Sequence, residues 1–231
     1  MEHEKGSKPM EPVITDAMVE QFRKLDTCCL SDAMDRLGIP CGLEGIKPIN
    51  RDSSLCGRAF TVHYVPCGTV KGTVGDFLDD VQPGEVVVID NGGRTWCTVW
   101  GDLMSIAASR KGVAGTVIDG VCRDLPTIHS LGYNIFTKGH YMVTGKDRVE
   151  VDQVNVPVSV SGVRVAPGDL VVGDATGVVV VPQEKAARVL EVALEIAEKE
   201  AIIEENVKAG MPLGEARAKV HYHTLQTREE Q

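Results

Sequence analysis

Aromatic side chains are scarce in this sequence: Phe, Tyr and Trp make up only 4% of its 231 residues, against 24 glycines. A core built without rings has to be filled by Val, Ile, Leu and Ala. No apolar run approaches the roughly 18 residues needed to cross a bilayer, so no membrane-spanning segment is expected. Positive charge is also in deficit. Twenty-four Lys and Arg face 33 Asp and Glu, giving a formal charge of −9 and a pI near 5.2. No Lys/Arg stripe with interleaved aromatics is present, and an acidic surface repels phosphate backbones, which argues against a direct nucleic-acid partner. The seven cysteines (Cys28, Cys29, Cys41, Cys56, Cys67, Cys97 and Cys122) are odd in number, lack C-x-x-C spacing and follow no secretory signal. Free thiols in a reduced cytoplasm are expected. What remains, 43% hydrophobic and 25% charged, is the composition of an ordinary globular protein with one large domain.

Residues 1–14 are polar and without periodicity, the pattern of an N-terminal tail. Val19, Phe22, Leu25, Leu30, Ala33, Met34 and Leu37 share a face, which predicts helix over 15–37, with a break at the cysteines and Ser31-Asp32 as a cap for its second part. Cys56 to Val65 alternates as a strand, with Phe60, Val62 and Tyr64 on one face. The segment 67–80 reads as a loop or short helix. Pro83-Gly84-Glu85-Val86-Val87-Val88 is echoed by Pro167-Gly168-Asp169-Leu170-Val171-Val172, two turns each leading into a strand. Asn91-Gly92-Gly93-Arg94 reads either as a hairpin turn or as backbone that approaches a ligand closely. Strands follow at 133–136 and 157–165, and a hairpin at 170–181. The last helix spans roughly 183–208, with Val189, Val192, Ala193, Ile196 and Ile203 on its apolar side and five glutamates opposite. The polar stretch 211–231 reads as a C-terminal tail, where His221 and His223 lack the third ligand a zinc site requires. Strands cluster before and after a single βα crossing, so α+β layering is expected.

The chain is organised around Gly101–Asp124, GDLMSIAASRKGVAGTVIDGVCRD. Leu103, Met104, Ile106, Ala107 and Ala108 predict a small-residue helix face that packs closely, and Gly112 ends that helix. Val113 to Ile118 predicts a strand buried on both faces, and Asp119-Gly120 a turn. Arg123-Asp124 then precedes Pro126. The residues alone leave two readings of this pair. Asp124 is either the N-cap of a helix over 125–131 or a carboxylate ligand for a hard divalent cation, with Arg123 as a fork for substrate oxygens. Magnesium needs only one or two protein carboxylates, so a lone Asp is sufficient. Cys122 is either a small buried hydrophobe or a reactive thiol.

GDLMSIAA…GVAGTVIDGVCRD, together with SDAMDRLG at 31–38, PGDLVVGDATGVVVVP at 167–182 and the acidic C-terminal helix, resembles the RraA-like family over roughly residues 15–210. That family holds metal-dependent 4-hydroxy-4-methyl-2-oxoglutarate aldolases, which also decarboxylate oxaloacetate, and the regulator of ribonuclease E activity. The resemblance implies a single-domain αββα sandwich of the swivelling β/β/α type and a Mg2+ or Mn2+ cofactor on Asp124. It also implies a small 2-oxo acid substrate and a homotrimer or hexamer. In this reading Arg123 and Asp102 are catalytic, and Gly101, Leu103, Met104 and Arg123 bind substrate. The N–H groups of Leu103 and Met104 face its carboxylate, and Glu200 is the acid contributed across a subunit boundary. Aldolase members carry an acid three residues after the Asp of the Arg-Asp pair, where this chain has Thr127. A non-catalytic binding protein, as in the ribonuclease regulator, is the alternative. A quinone-methyltransferase activity has no support, because no glycine-rich nucleotide loop follows an early strand.

Overall fold

The computed structural model describes residues 14–70, 72–220 and 222. Helix α1 (Asp16–Phe22) starts where the Thr15 side chain accepts the Met18 N–H, and α2 (Thr27–Arg36) where Asp26 accepts the Cys29 N–H. The expected helix over 15–37 is therefore two helices. The break comes before the cysteines, and the cap is Asp26, while Ser31-Asp32 lies inside α2, where helical N–H groups already have partners.

The remaining elements are β1 (Lys47–Pro48), β2 (Leu55–Pro66), β3 (Val86–Thr98), α3 (Asp102–Lys111), β4 (Gly115–Val121), α4 (Leu125–Leu131), β5 (Ile135–Thr137), β6 (Val149–Val154), β7 (Val158–Val160), β8 (Val163–Val165), β9 (Leu170–Gly173), β10 (Val178–Val181), α5 (Ala186–Lys208) and α6 (Leu213–Lys219). The main sheet runs β1-β5-β4-β3-β2-β9-β10, with β6 also paired to β2, and β7-β8 form a separate hairpin.

Strand parity explains the layering. On β2, Cys56 faces a core built with α1, α2 and α5, while Phe60, Val62 and Tyr64 face one built with α3 and α4. The opposite parity, Leu55 and Ala59, joins Val86, Val88, Val117, Phe136, Val171, Val178 and Val180 in a third core between the two halves of the sheet. The order is helices, sheet, sheet, helices, an α+β sandwich in one domain whose two sheets share β2. The echoed Pro-Gly turns mark where those sheets part. Gly84 and Gly168 have φ of 81° and 86°, and the strands after them pair with adjacent residues of β2, Val86 with Ala59 and Leu170 with Arg58.

Several expectations are corrected. Asn91–Arg94 is no hairpin: β3 runs through it, and Gly92 and Gly93, at φ 58° and 68°, let the strand bulge without reversing. Asp119-Gly120 is likewise strand, so β4 continues to Val121 before the chain bends. In α3 the buried residues are Ser105 and Ala108, whereas Leu103 is 76% and Ile106 39% exposed. The helix is rotated because Ser105 is bound on both sides, accepting from Trp100 Nε1 at 2.9 Å and donating to the Gly101 carbonyl at 2.8 Å. Within 211–231, α6 packs through the buried Ala216, and Lys219 Nζ donates to Asn206 Oδ1. His221 and His223 lie outside the described residues. Among the described residues no helix is long and apolar enough to cross a membrane.

Candidate active site

Two chain bends meet at one end of the parallel strands β3, β4 and β5, where open α/β sheets present ligand-facing groups. One is the entry to α3 at Gly101-Asp102. The other is the exit from β4 at Arg123-Asp124. The Arg123 N–H donates to the Trp100 carbonyl at 3.0 Å, which locks the two bends together. Trp100 is itself buried and stacked on Tyr133, with ring centroids 6.1 Å apart.

Asp124 occupies the N-cap position of α4 but makes no side-chain cap bond to that helix. Its backbone sits at φ 61°, ψ 41°, a left-handed conformation uncommon for any residue with a Cβ. That geometry turns the carboxylate away from α4 and toward the start of α3, where Oδ2 accepts the Asp102 N–H at 3.1 Å. The capping reading in its ordinary form is thus set aside: Asp124 serves the neighbouring helix. Arg123 Nε lies 3.4 Å from the same oxygen. Oδ1 carries no hydrogen bond among the described residues, and the side chain is 35% exposed.

Gly101 is what permits this arrangement. A Cβ there would stand 2.6 Å from Asp124 Oδ2 and 3.3 Å from Arg123 Nε. The first ladder bond of α3 runs from the Ser105 N–H to the Gly101 carbonyl, so the N–H groups of Asp102, Leu103 and Met104 lie outside the ladder, with different fates. That of Asp102 is held by Asp124, and that of Leu103 by the Asp102 side chain at 2.8 Å. The Met104 N–H has no partner among the described residues. Of the two donors expected for a substrate carboxylate, Leu103 is occupied and Met104 is available.

No group of three or more His, Cys, Asp or Glu side chains able to hold a metal occurs among the described residues. The described residues therefore offer no zinc-type centre. The donor set suits a hard ion that keeps most of its waters, because it offers one carboxylate with a free oxygen. Cys122 is fully buried behind the site. Burial, with the Asp124 charge adding to it, pushes its thiol up to about 12, so it is an inert packing group.

Glu200 is not brought to this site within the chain. It lies on α5, in the opposite helical layer beside Asp26 and Asp32, and burial followed by those two charges raises its carboxyl above the ordinary value. Thr127 is in the first turn of α4, its N–H donating to the Asp124 carbonyl.

A wall was not foreseen from the sequence. Arg123, Asp124, Leu125, Pro126, His140, Tyr141 and Met142 line a cleft of about 470 Å³. The 139–141 segment is fastened alongside β4, with the Cys122 N–H donating to Gly139 O and the Tyr141 N–H to Cys122 O. The usable signal was a His-Tyr-Met run directly after a glycine in a chain otherwise short of large side chains.

The family model described as RraA-like, Aldolase/RraA, matches residues 27–180. Protein DlpA of Legionella pneumophila is 37% identical over 216 residues, 90% of this chain and 35% of that protein, so the chain spans about a third of that relative's length. A protein of Halalkalibacterium halodurans named "Putative 4-hydroxy-4-methyl-2-oxoglutarate aldolase" is 36% identical over 175 residues, 76% of this chain and 81% of that protein. Among solved structures, an uncharacterized protein from Pseudomonas syringae matches with TM-score 0.82 and 41% identity, covering 88% of this chain and 98% of its own. RraAS2 of Streptomyces coelicolor, described as an unusual member of the RNase ES inhibitor RraA family, matches with TM-score 0.76 and 30% identity, covering 84% and 98%.

Proposed function

Because this chain belongs to the RraA-like family, we propose that it is a metal-dependent carbon–carbon lyase, acting on 2-oxo acids by retro-aldol cleavage and by decarboxylation of oxaloacetate. The observation that carries the reading is the Asp124 carboxylate. It is held by its Oδ2 on the Asp102 N–H, keeps Oδ1 free, and shares the cleft with the Arg123 guanidinium. A strained backbone residue that aims an acid at a solvent-open cleft is a feature that packing alone does not call for.

Asp124 would hold Mg2+ or Mn2+, which suit a single carboxylate with a free oxygen. When bound, such an ion supplies Lewis acidity toward the 2-oxo oxygen, worth several kcal/mol of barrier. Arg123 holds the same end of the substrate and strengthens its charge-assisted hydrogen bonds as negative charge develops on the enolate oxygen. The open Met104 N–H, at the positive end of α3, receives the substrate carboxylate, and the N–H of Leu103 joins it if Asp102 swings away. Asp102 takes the proton of the 4-hydroxyl in retro-aldol cleavage, directly or through water. Decarboxylation needs no such base.

Glu200 reaches a site of this kind only from a neighbouring subunit, so the reading includes a homotrimer or a dimer of trimers. The exposed Leu103 and Ile106 on α3 give that assembly an apolar surface to cover. A reduced cytoplasmic location accords with seven free thiols.

The second reading is a non-catalytic binding protein, favoured by Thr127 in place of an acid and by the likeness to RraAS2. One assay separates the two: pyruvate release from oxaloacetate with magnesium, repeated with excess chelator. Chelator-sensitive release supports the lyase. Release no faster than the magnesium-only blank leaves the binding protein.

A further inference from the structure

A row of charged groups crosses the sheet on the side away from α3 and α4. His63 on β2 lies opposite Asp90 on β3, and Asp90 opposite Asp119 on β4. Ile118 pairs with Thr137, so Lys138 comes next, directly after β5, with its N–H on the Gly120 carbonyl at 2.9 Å. Asp90, Asp119 and Lys138 share strand parity with Val88, Val117 and Phe136 and therefore face the third core.

Two carboxylates on strands about 4.8 Å apart repel each other. Both are buried, Asp90 at 8% and Asp119 at 5% exposure, so water screens them little. They are unequally provided for. Asp90 accepts the Gly92 N–H at 2.9 Å and the Ser159 N–H at 3.4 Å, and has His63 Nδ1 at 3.1 Å. Asp119 accepts the Ser161 N–H at 3.1 Å on Oδ2, while Oδ1 has only Lys138 Nζ among the described residues, 2.6 Å away. Lys138 passes over the β3 bulge to get there: a Cβ on Gly93 would stand 3.3 Å from its Nζ.

The row is also the last regular rung between β3 and β4. Beyond it the stretch from Asp90 to Thr98 on β3 matches only Asp119 to Val121 on β4, and the pairs that remain are Arg94 with Gly120 and Thr98 with Val121. The two bends of the site hang past those pairs. They are joined by the Arg123 N–H on the Trp100 carbonyl and by the Asp102 N–H on Asp124 Oδ2, at 3.0 and 3.1 Å. Strands that splay at the rung pull on these two bonds with little regular pairing in between to absorb the movement.

We propose that Lys138 is a positioning residue for the reaction at Asp124. By neutralising Asp119 it stops the paired carboxylates from splaying β3 and β4, and so keeps the two bends in contact. The inference rests on the lyase reading and adds to it a residue on the far side of the sheet that acts through Asp119.

The test compares the parent protein with Lys138→Met, Lys138→Arg and the double variant Lys138→Met/Asp119→Asn. Amide hydrogen exchange at Asp102 reads the contact between the bends without turnover, beside magnesium-dependent decarboxylation of oxaloacetate. In Lys138→Met we expect Asp102 exchange to be roughly tenfold faster or more, as its local opening becomes easier. Its kcat should fall on the order of 10²-fold, the scale of a displacement of about 1 Å. Lys138→Arg keeps the cation and should stay within a few-fold of the parent in both readouts. The double variant removes the repulsion together with the cation and should recover both, a rescue that the loss of a proton-transferring or packing lysine does not allow. A folded Lys138→Met with parent exchange and turnover overturns the proposal, because the lysine then adds only stability. A folded double variant that stays impaired also overturns it, and that arm holds even where Lys138→Met does not fold. A parent protein without turnover, whose variants still show the expected exchange at Asp102, overturns the lyase reading alone.

Discussion

Adding one methyl group at Gly101 tests the geometry of the site without removing any charged group from it. The backbone there is extended, at φ −150° and ψ −160°, which alanine adopts without strain. The new Cβ would stand 2.6 Å from Asp124 Oδ2, so the carboxylate has to withdraw to an ordinary contact near 3.4 Å, a shift of about 0.8 Å. Withdrawal lengthens the bond from the Asp102 N–H, now 3.1 Å, past useful length. Losing a half-exposed hydrogen bond to a charged acceptor, and exchanging Gly for Ala at an N-cap, costs about 1–2 kcal/mol together. That corresponds to a fall of roughly 2–8 °C in Tm for a chain of this size. The effect on activity is larger, because displacing a reacting group by about 1 Å costs on the order of 10²-fold. Thermal melting, magnesium titration by calorimetry and oxaloacetate turnover on the same Gly101→Ala preparation separate these effects. A folded variant that binds magnesium and decarboxylates at the parent rate would refute the reasoning, since the position of Asp124 would then not matter.

Asp124→Asn keeps an amide oxygen for the Asp102 N–H and the asparagine tolerance for left-handed backbone, so Tm should hold within a few degrees while magnesium affinity and turnover collapse; retention of both measured activities speaks against Asp124 as a ligand. Thr127→Glu places an acid in the first turn of α4, one turn from the Asp124 carbonyl, and should leave decarboxylation within a few-fold while raising retro-aldol turnover; loss of both in a folded protein would show the position to be misassigned. Glu200 has its carboxyl raised above 4.5 by burial and then by Asp32 and Asp26, so its ionisation opposes folding as pH rises through 4.5 and does so fully above the raised value. Glu200→Gln should accordingly increase Tm at pH 7 and leave it unchanged below pH 4, and equal shifts at both pH values would contradict this. Sedimentation at micromolar concentration should show a trimer or hexamer, and a species of about 25 kDa alone would remove the shared site.

The layers could be read because parity along an uninterrupted strand is a local property. Phe60, Val62 and Tyr64 share a face whichever partner covers them, and the apolar side of α5 is similarly self-contained. Where a polar partner decided the outcome, reading the chain alone fell short. The rotation of α3 is set by Ser105 between Trp100 and Gly101, and leucine spacing says nothing about that hydroxyl. The short β6 alternates only over Val149–Asp152, and its place is set by the edge of β2 with which it pairs. At the site, the segments 101–104 and 123–124 stood out by type. Their contact did not, since it depends on an Asp in a left-handed conformation facing a glycine from another bend. The occupied Leu103 N–H and the His140–Met142 wall belong to the same class of facts, set by folding and not by spacing.

The sharing of β2 between two sheets sets an order of events during synthesis. Its C-terminal half pairs with β3 only 27 residues later, as Val62 lies opposite Ile89, whereas its N-terminal half waits for β9, with Leu55 opposite Gly173. At 5–20 residues per second, ribosomal elongation needs about 6–24 s to cover that second interval. During it Leu55–Arg58 lacks its β9 partner, with Leu55 and Cys56 presenting apolar side chains on opposite faces, a condition under which chains recruit foreign strands. High sequence separation of this kind slows folding in isolation, and it places the vulnerable interval before α5 has emerged to cover the first sheet. A chain released early, ending between β8 and β9, should therefore aggregate through the start of β2 even though every residue of the two bends at the candidate site is already present.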